Sequence, residues 1–264
     1  TNKTANPAID QQVESILSGM SLDEKIGQTA LRGTPSDQVG DLPESIKNAV
    51  REGHVGAFLN VMNQAHVDEL QRIAVEESPS KVPLIFARDV IHGFKTIFPI
   101  PLGLAASWEE EQAEICARIS SVEATQMGIR WTFAPMVDIC RDSRWGRISE
   151  SPGEDPLLGS LISEAYVKGF QGDDLSAADA MAACVKHYAA YGAAIGGRDY
   201  NSAEMHESQF RNMILPPFQA AFNANVATVM TSFNDINGVP ASGNEWLLKD
   251  ILREEEGYQG FVVS

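Results

Sequence analysis

Positive charge is scarce in this chain. Lys and Arg number 20 against 36 Asp and Glu, a formal net charge of −16. A surface this acidic repels nucleic acid and anionic membranes, so neither is expected as a partner. Long apolar runs are missing as well. None approaches the ~18 residues needed to cross a bilayer, and membrane insertion is not expected. Cysteine is sparse and odd in number: Cys116, Cys140 and Cys184 are widely spaced, in an expected helix, a strand end and a strand, and read as buried free thiols. Without CxxC or HxxxH spacing, a zinc site is not expected. No GxGxxG follows the first strand and no GxxxxGK[ST] occurs anywhere, which weakens nucleotide-binding readings. The opening TNKTANPAID lacks the basic and apolar regions of a signal peptide and does not begin with Met, so it reads as a mature or artificial end.

What is present is enough apolar material, 44% of 264 residues, for a sizeable core. Strand–helix barrels commonly reach this length as one unit. Helical patterning covers residues 8–20, and Ser21-Leu22-Asp23-Glu24 is a capping box opening a second helix. Further helices are expected at 43–50, closed by Gly53, and at 66–75, stopped by Ser78-Pro79. Ser107-Trp108-Glu109-Glu110 reads as another capping box. Asp155 caps, and Pro156 begins, a helix running towards Gly169. Pro216-Pro217 must kink or split the helix at 208–224, and the helix capped by Asn244 is closed by Gly257. Between these lie short apolar runs: one ending at Leu31, then 55–62, 84–87, 129–137, 181–185, 226–231 and 261–263. Such alternation implies parallel βαβ units. A doubly wound open sheet and a (β/α)8 TIM-type barrel both fit. The barrel fits better, ending here at about the seventh strand, with residues 1–264 as one domain incomplete at its C-terminus.

In such folds ligands meet the loops at the carboxyl ends of the strands. Ionisable and amide residues collect at four of these ends. Asp89 follows the 84–87 strand, and the polar loop 138–156, with Arg141, Arg144 and Arg147 among acids, follows 129–137. Lys186-His187 follow 181–185, and Ser232, Asn234 and Asn237 follow 226–231. Each has a plainer reading alone: Asp89 as a turn cap, His187 as a satisfied core histidine, Lys186 as the partner of an acidic barrel residue. Four successive strands ending this way favour a site. Carboxylate, guanidinium, ammonium and imidazole together suit a polyol, held by charge-assisted hydrogen bonds of ~1.5–3 kcal/mol each. A phosphate would suit Arg147 and Lys186 but is repelled by Asp89.

A series of motifs makes the case sharper. MSLDEKIGQ lies near the start, then ARDVIHG at 87–93, FPIPLGLAASW at 98–108 and APMVDICRDSRWGRISESPGEDP at 134–156. VKHYAAYGAAIGGRDYN at 185–201, TSFNDINGVPAS at 231–242 and GYQGFVVS at 257–264 complete it. In this order they resemble the N-terminal barrel domain of glycoside hydrolase family 3, in particular bacterial periplasmic β-glucosidases, over nearly the whole chain. The resemblance implies sugar ligands in the −1 subsite at Asp89 of DVIHG, Arg147 of the polar loop, and Lys186 and His187 of the KH(F/Y) motif. Met230 would line the same pocket. Many relatives have tyrosine where this chain has Phe233, which packs but donates no hydrogen bond. His92 and Trp108 are expected to pack the barrel.

The implied activity is a retaining exo-β-glucosidase, releasing terminal non-reducing glucose from β-linked glucosides or oligosaccharides, with no metal or organic cofactor. Its nucleophile aspartate would directly follow GFVVS, after Ser264, and its acid/base glutamate would lie in a later domain. The loop after Lys186-His187 lacks the Gly-His-Gly and Asp-Ser-His signatures of the N-acetylglucosamine branch, and His206 reads as a surface-helix residue. The alternatives are a β-xylosidase of the same family, or a catalytically inactive sugar-binding or structural fragment. Expected partners are the saccharide substrate, C-terminal domains of the same enzyme or a complementing chain, and a possible second copy at the open sheet edge. The resemblance also implies a periplasmic or secreted location.

Overall fold

The computed structural model describes residues 7–34 and 40–264. The reading of the extreme N-terminus therefore lies largely outside the described residues. Among the described residues seven short strands at or beside the apolar runs alternate with helices, and the fold is the α/β, (β/α)8 TIM-type class ending at the seventh strand. Two compact units are distinguished, one running to Arg88 with Gln126–Trp131 added, the other comprising Asp89–Thr125 and Thr132–Ser264.

In the first unit β1 (Leu31–Gly33), β2 (Ala57–Leu59) and β3 (Ile85–Arg88) pair in parallel, and β4 (Trp131–Thr132), of which Trp131 belongs to this unit, is next in the order β1-β2-β3-β4. Phe58 and Phe86 stack with ring centroids 6.2 Å apart, and Val50, Val55, Leu70 and Ile73 close over them. The capping box at Ser21 forms: its hydroxyl accepts from the Glu24 N–H at 3.2 Å, and the Glu24 carboxylate accepts from the Ser21 N–H at 2.9 Å.

The second unit carries β5 (Cys184–Tyr188), β6 (Thr228–Thr231) and β7 (Phe261–Val263), parallel in that order. Only Trp131–Thr132 of the expected 129–137 strand is regular. The chain stays hydrogen-bonded beside β5, however. Cys184 N–H donates to the Ala134 carbonyl at 2.9 Å, and Val137 N–H to that of Lys186 at 2.8 Å. Pro135, with no N–H of its own, accepts from Lys186 N–H at 3.0 Å.

Four expectations need correction. Lys186 and His187 do not follow their strand: β5 begins at Cys184 and contains them, all five residues being buried. The second capping box does not form. The helix starts at Glu110, while the Ser107 hydroxyl donates to the Leu104 carbonyl at 2.7 Å and so closes the short helix Pro101–Ala105. Trp108, left between the two helices at φ 59°, is 64% exposed rather than packed in a barrel. Cys116 is only half-buried, although Cys140 and Cys184 are buried free thiols as expected.

The helices Glu110–Thr125 and Pro156–Gln171 touch most closely at Gly169. A Cβ there would overlap the Glu114 carbonyl oxygen and the Ala117 side chain. Gly169→Ala is expected to destabilise the unit by about 1–3 kcal/mol through overpacking, read as a lower urea midpoint at unchanged slope. The helix itself begins as predicted, with Asp155 accepting from the Leu158 N–H at 2.8 Å and Pro156 in its first turn. The 208–224 helix is split just before its prolines, into a wide turn at Phe210–Ile214 and a regular helix at Leu215–Asn223.

Candidate active site

The site begins with an irregularity in β5. Val185 pairs with Val229 and Tyr188 with Thr231, so Lys186 and His187 stand opposite the single residue Met230. A regular strand sends neighbouring side chains to opposite faces. A bulge breaks that alternation and re-aims them. Met230, buried on β6, is in turn paired with Val263 of β7.

Lys186 is 2% exposed, and its Nζ donates to Asp89 Oδ1 at 2.6 Å. The Asp89 side chain is 45% exposed, so its carboxylate meets the buried ammonium on one side and solvent on the other. His187 lies in a closed setting. Its Nδ1–H and its main-chain N–H both donate to Asp138 Oδ2, at 2.8 and 3.1 Å, and both side chains are buried. Arg147 grips Glu150 in a two-pronged pair, Nε to Oε1 and Nη2 to Oε2, each 2.8 Å. Its remaining Nη1 lies 3.3 Å from His187 Nε2, and the guanidinium carbon stands 5.6 Å over the Tyr191 ring.

Aromatic packing holds this cluster. Tyr191 meets His187 edge-on at 5.0 Å and Trp145 at 5.2 Å, and the Trp145 indole N–H donates to Asp199 at 3.0 Å. Met136, Cys140 and Ile148 fill the space beneath. Phe233 lies against the His187 ring at 5.0 Å and Tyr191 at 5.4 Å, packing without a hydroxyl to offer. The polar loop is thus folded onto a core, as a strand end rich in paired acids and bases implies.

Burial, reinforced by the cations of Lys186 and Arg147, pushes the His187 imidazole below its usual range, against the opposing pull of Asp138. Burial opposes ionisation of Glu150 as well, but the Arg147 pair outweighs it and holds that carboxyl low. Burial pushes the Cys184 thiol up to about 12, leaving it unreactive at neutral pH. A depressed histidine has a signed consequence. Below about pH 6.5 the unfolded imidazole binds a proton that the native one refuses, so its stabilising contribution is full above that pH. It is lost as pH falls towards the native value. Tm is therefore expected to decline on acidification from pH 6.5 to 5, and less steeply in His187→Gln.

Of the residues expected at the site, Asp89 meets Lys186, and Arg147 meets His187, while Met230 faces the bulge between them. The plainer readings of Lys186 and His187 hold, since each is buried and paired with an acid, and both residues also sit in the charged cluster. Ser232, Asn234 and Asn237 each hydrogen-bond to main chain instead. Ser232 is buried with its hydroxyl donating to the Ala189 carbonyl at 2.9 Å, and Asn234 turns to its own chain at Asp235. Asn237 clasps the main chain of Met205 through both N–H and carbonyl, each at 3.0 Å. Arg144 pairs with Asp142 at the surface. His92 caps a local turn at the Phe98 carbonyl, and His206 is exposed.

The model of the glycosyl hydrolase family 3 N-terminal domain matches residues 21–264. The chain belongs to this family. A periplasmic β-glucosidase from Salmonella typhimurium is 41% identical over 257 residues, 97% of this chain and 33% of that protein. A β-xylosidase from Formosa agariphila is 32% identical over 268 residues, 100% of this chain and 33% of its own length. A β-glucosidase from Listeria innocua, solved in complex with glucose, superposes with a TM-score of 0.88 at 38% identity, covering 96% of this chain and 37% of that one. The family domain here thus spans about a third of the length of these relatives.

Three residues that matter to the cluster were not singled out from the sequence. Asp138 and Glu150 were legible only as members of an acidic and basic loop. The one available signal was the three-residue spacing of Arg147 and Glu150. Tyr191 carried no mark beyond its place near the Lys186-His187 motif.

Proposed function

We propose that the polypeptide carrying this chain is a retaining, exo-acting β-glucosidase, and that Asp89, Arg147, Lys186, His187 and Met230 form the shell around its −1 sugar. One observation carries the reading. A carboxylate open to solvent, a buried ammonium, and a guanidinium and imidazole in contact are gathered from segments far apart in sequence. Such groups match alternating hydroxyl donors and acceptors around a pyranose ring, and a protein with no use for them would leave Lys186 out of its core. β-Glucosidases among the family relatives support the substrate class.

In this reading the nucleophile is a carboxylate directly after β7, beyond Ser264, and the acid/base comes from a later domain. Retention requires the two about 5–5.5 Å apart, one attacking the anomeric carbon while the other protonates the leaving oxygen. Neither metal nor organic cofactor enters that scheme. The name of the Salmonella relative supports a periplasmic or secreted location.

The β-xylosidase relative, matched over 100% of this chain, supports a second reading in which the −1 sugar is xylose. Steady-state hydrolysis of p-nitrophenyl β-glucoside and β-xyloside by the complete polypeptide separates the two. A kcat/KM ratio above ten in favour of glucoside is the expected result for a pocket that contacts the extra hydroxymethyl group, worth about 1–3 kcal/mol. A reversed ratio establishes the xylosidase. Turnover of neither, in a polypeptide extending past Ser264, would leave the inactive sugar-binding fragment.

A further inference from the structure

We propose that Asp138 is a positioning residue that acts through His187 on Arg147, so that the three work as one unit on the sugar. The inference rests on the proposed reading of Arg147 as a sugar ligand.

A deprotonated carboxylate can only accept hydrogen bonds, and a guanidinium can only donate them. Asp138 Oδ2, 2.8 Å from His187 Nδ1, therefore requires the proton on Nδ1. Arg147 Nη1, 3.3 Å from Nε2, requires a lone pair there. The two contacts demand the same neutral tautomer. Protons then run in one direction: Arg147 donates to His187, and His187 donates to Asp138. Asp138 also accepts from the His187 main-chain N–H at 3.1 Å, which ties the imidazole's anchor to the backbone at the bulge of β5.

Two consequences follow for chemistry at the site. His187 is 0% exposed, its ring is covered by Tyr191 and Phe233 at 5.0 Å each, and both ring nitrogens are engaged. Arg147 is held at both edges, by the Glu150 carboxylate on Nε and Nη2 and by His187 on Nη1. A guanidinium fixed in this way loses the rotamer freedom that it would otherwise lose on meeting ligand, and preorganisation of that kind strengthens binding. Flipping the ring would set a C–H, and moving its proton to Nε2 an N–H, against the guanidinium, and either would break the alignment. Asp138 makes that arrangement unfavourable.

The test is a double-mutant cycle in the complete polypeptide, with kcat/KM on p-nitrophenyl β-glucoside as the readout. Asp138→Asn keeps the shape of the side chain and removes its charge. It is expected to lower kcat/KM about tenfold in the native background but less than about twofold in an Arg147→Ala background, because residues acting through one another are non-additive. Equal losses in both backgrounds overturn the inference while leaving Arg147 a ligand. An Arg147→Ala enzyme with unchanged kcat/KM overturns the functional reading, and the inference with it. Should Asp138→Asn not fold, His187 provides the second arm. His187→Gln, which keeps an acceptor within reach of Arg147, is expected to retain at least about fivefold more activity than His187→Leu, which has none. Equal activities of those two variants overturn the inference as well.

Discussion

Lys186→Ala in the complete polypeptide is expected to lower kcat/KM on an aryl β-glucoside by about 10–150-fold, the equivalent of one charge-assisted hydrogen bond of ~1.5–3 kcal/mol. The ammonium has three donors, and Asp89 takes one of them at 2.6 Å. The others are free to meet sugar hydroxyls, in a setting only 2% exposed, where each contact is weakly screened. Asp89→Asn keeps the shape but loses the charge that orients the ammonium, and a loss of more than about tenfold is expected. Steady-state kinetics of the two variants decide the matter, and unchanged kinetics in both would sink the site assignment. Their stabilities should separate them further. Lys186→Ala leaves a half-exposed carboxylate that water can solvate. Asp89→Ala strands a buried ammonium without its partner, at a cost of about 1–3 kcal/mol. A lower urea midpoint for Asp89→Ala than for Asp89→Asn is the corresponding result.

The largest expected loss of stability is at Asp138. Asp138→Ala removes the acceptor of two buried donors at once, the Nδ1–H and the main-chain N–H of His187. Neither can reach water, since His187 is fully buried. Two buried donors left unpaired cost about 1–3 kcal/mol each, together a drop in Tm of about 4–24 °C for a chain of this size. Asp142, four residues on, provides the control. It also pairs with an arginine and its carboxyl is held at about 2 by Arg144, yet the Arg144 side chain is 72% exposed. Ion pairs open to solvent contribute little, so Asp142→Ala should leave Tm within about 2 °C of the parent. Differential scanning calorimetry of the two variants tests whether burial, rather than the mere presence of an ion pair, sets the cost. A small shift for Asp138→Ala would mean that the His187 ring relaxes onto another acceptor.

Much of this molecule was legible in order along the chain. The capping box at Ser21, the Asp155-Pro156 helix start and the break at Pro216-Pro217 depend on neighbours a few residues away and formed at or next to where local chemistry placed them, while the apolar runs each hold or adjoin a strand, the 129–137 run only at Trp131–Thr132 and the 181–185 run shifted to Cys184–Tyr188. The second capping box failed for a local reason, in a competing turn three residues upstream. Ser107 was claimed by the carbonyl of the preceding short helix, and this set Trp108 in a left-handed turn at the surface.

The charged cluster divides in the same way. Residue type at the strand ends, and the family motifs that carry it, were enough to single out Asp89, Arg147, Lys186, His187 and Met230, which the fold brings into or beside the cluster. Their mutual arrangement was not legible. Lys186 finds Asp89 across 97 positions and His187 finds Asp138 across 49, and no periodicity spans such distances. The bulge that sets Lys186 and His187 against Met230 depends on the register of β6, a property of the pairing rather than of either strand. The sequence by itself determined the helices, the strand runs, the family and the chemical character of the site, since these follow from local propensity and residue type. Tertiary structure alone decided which acid meets which base, which histidine nitrogen holds its proton, and which of the charges are buried, since each depends on groups that only folding brings within hydrogen-bonding distance.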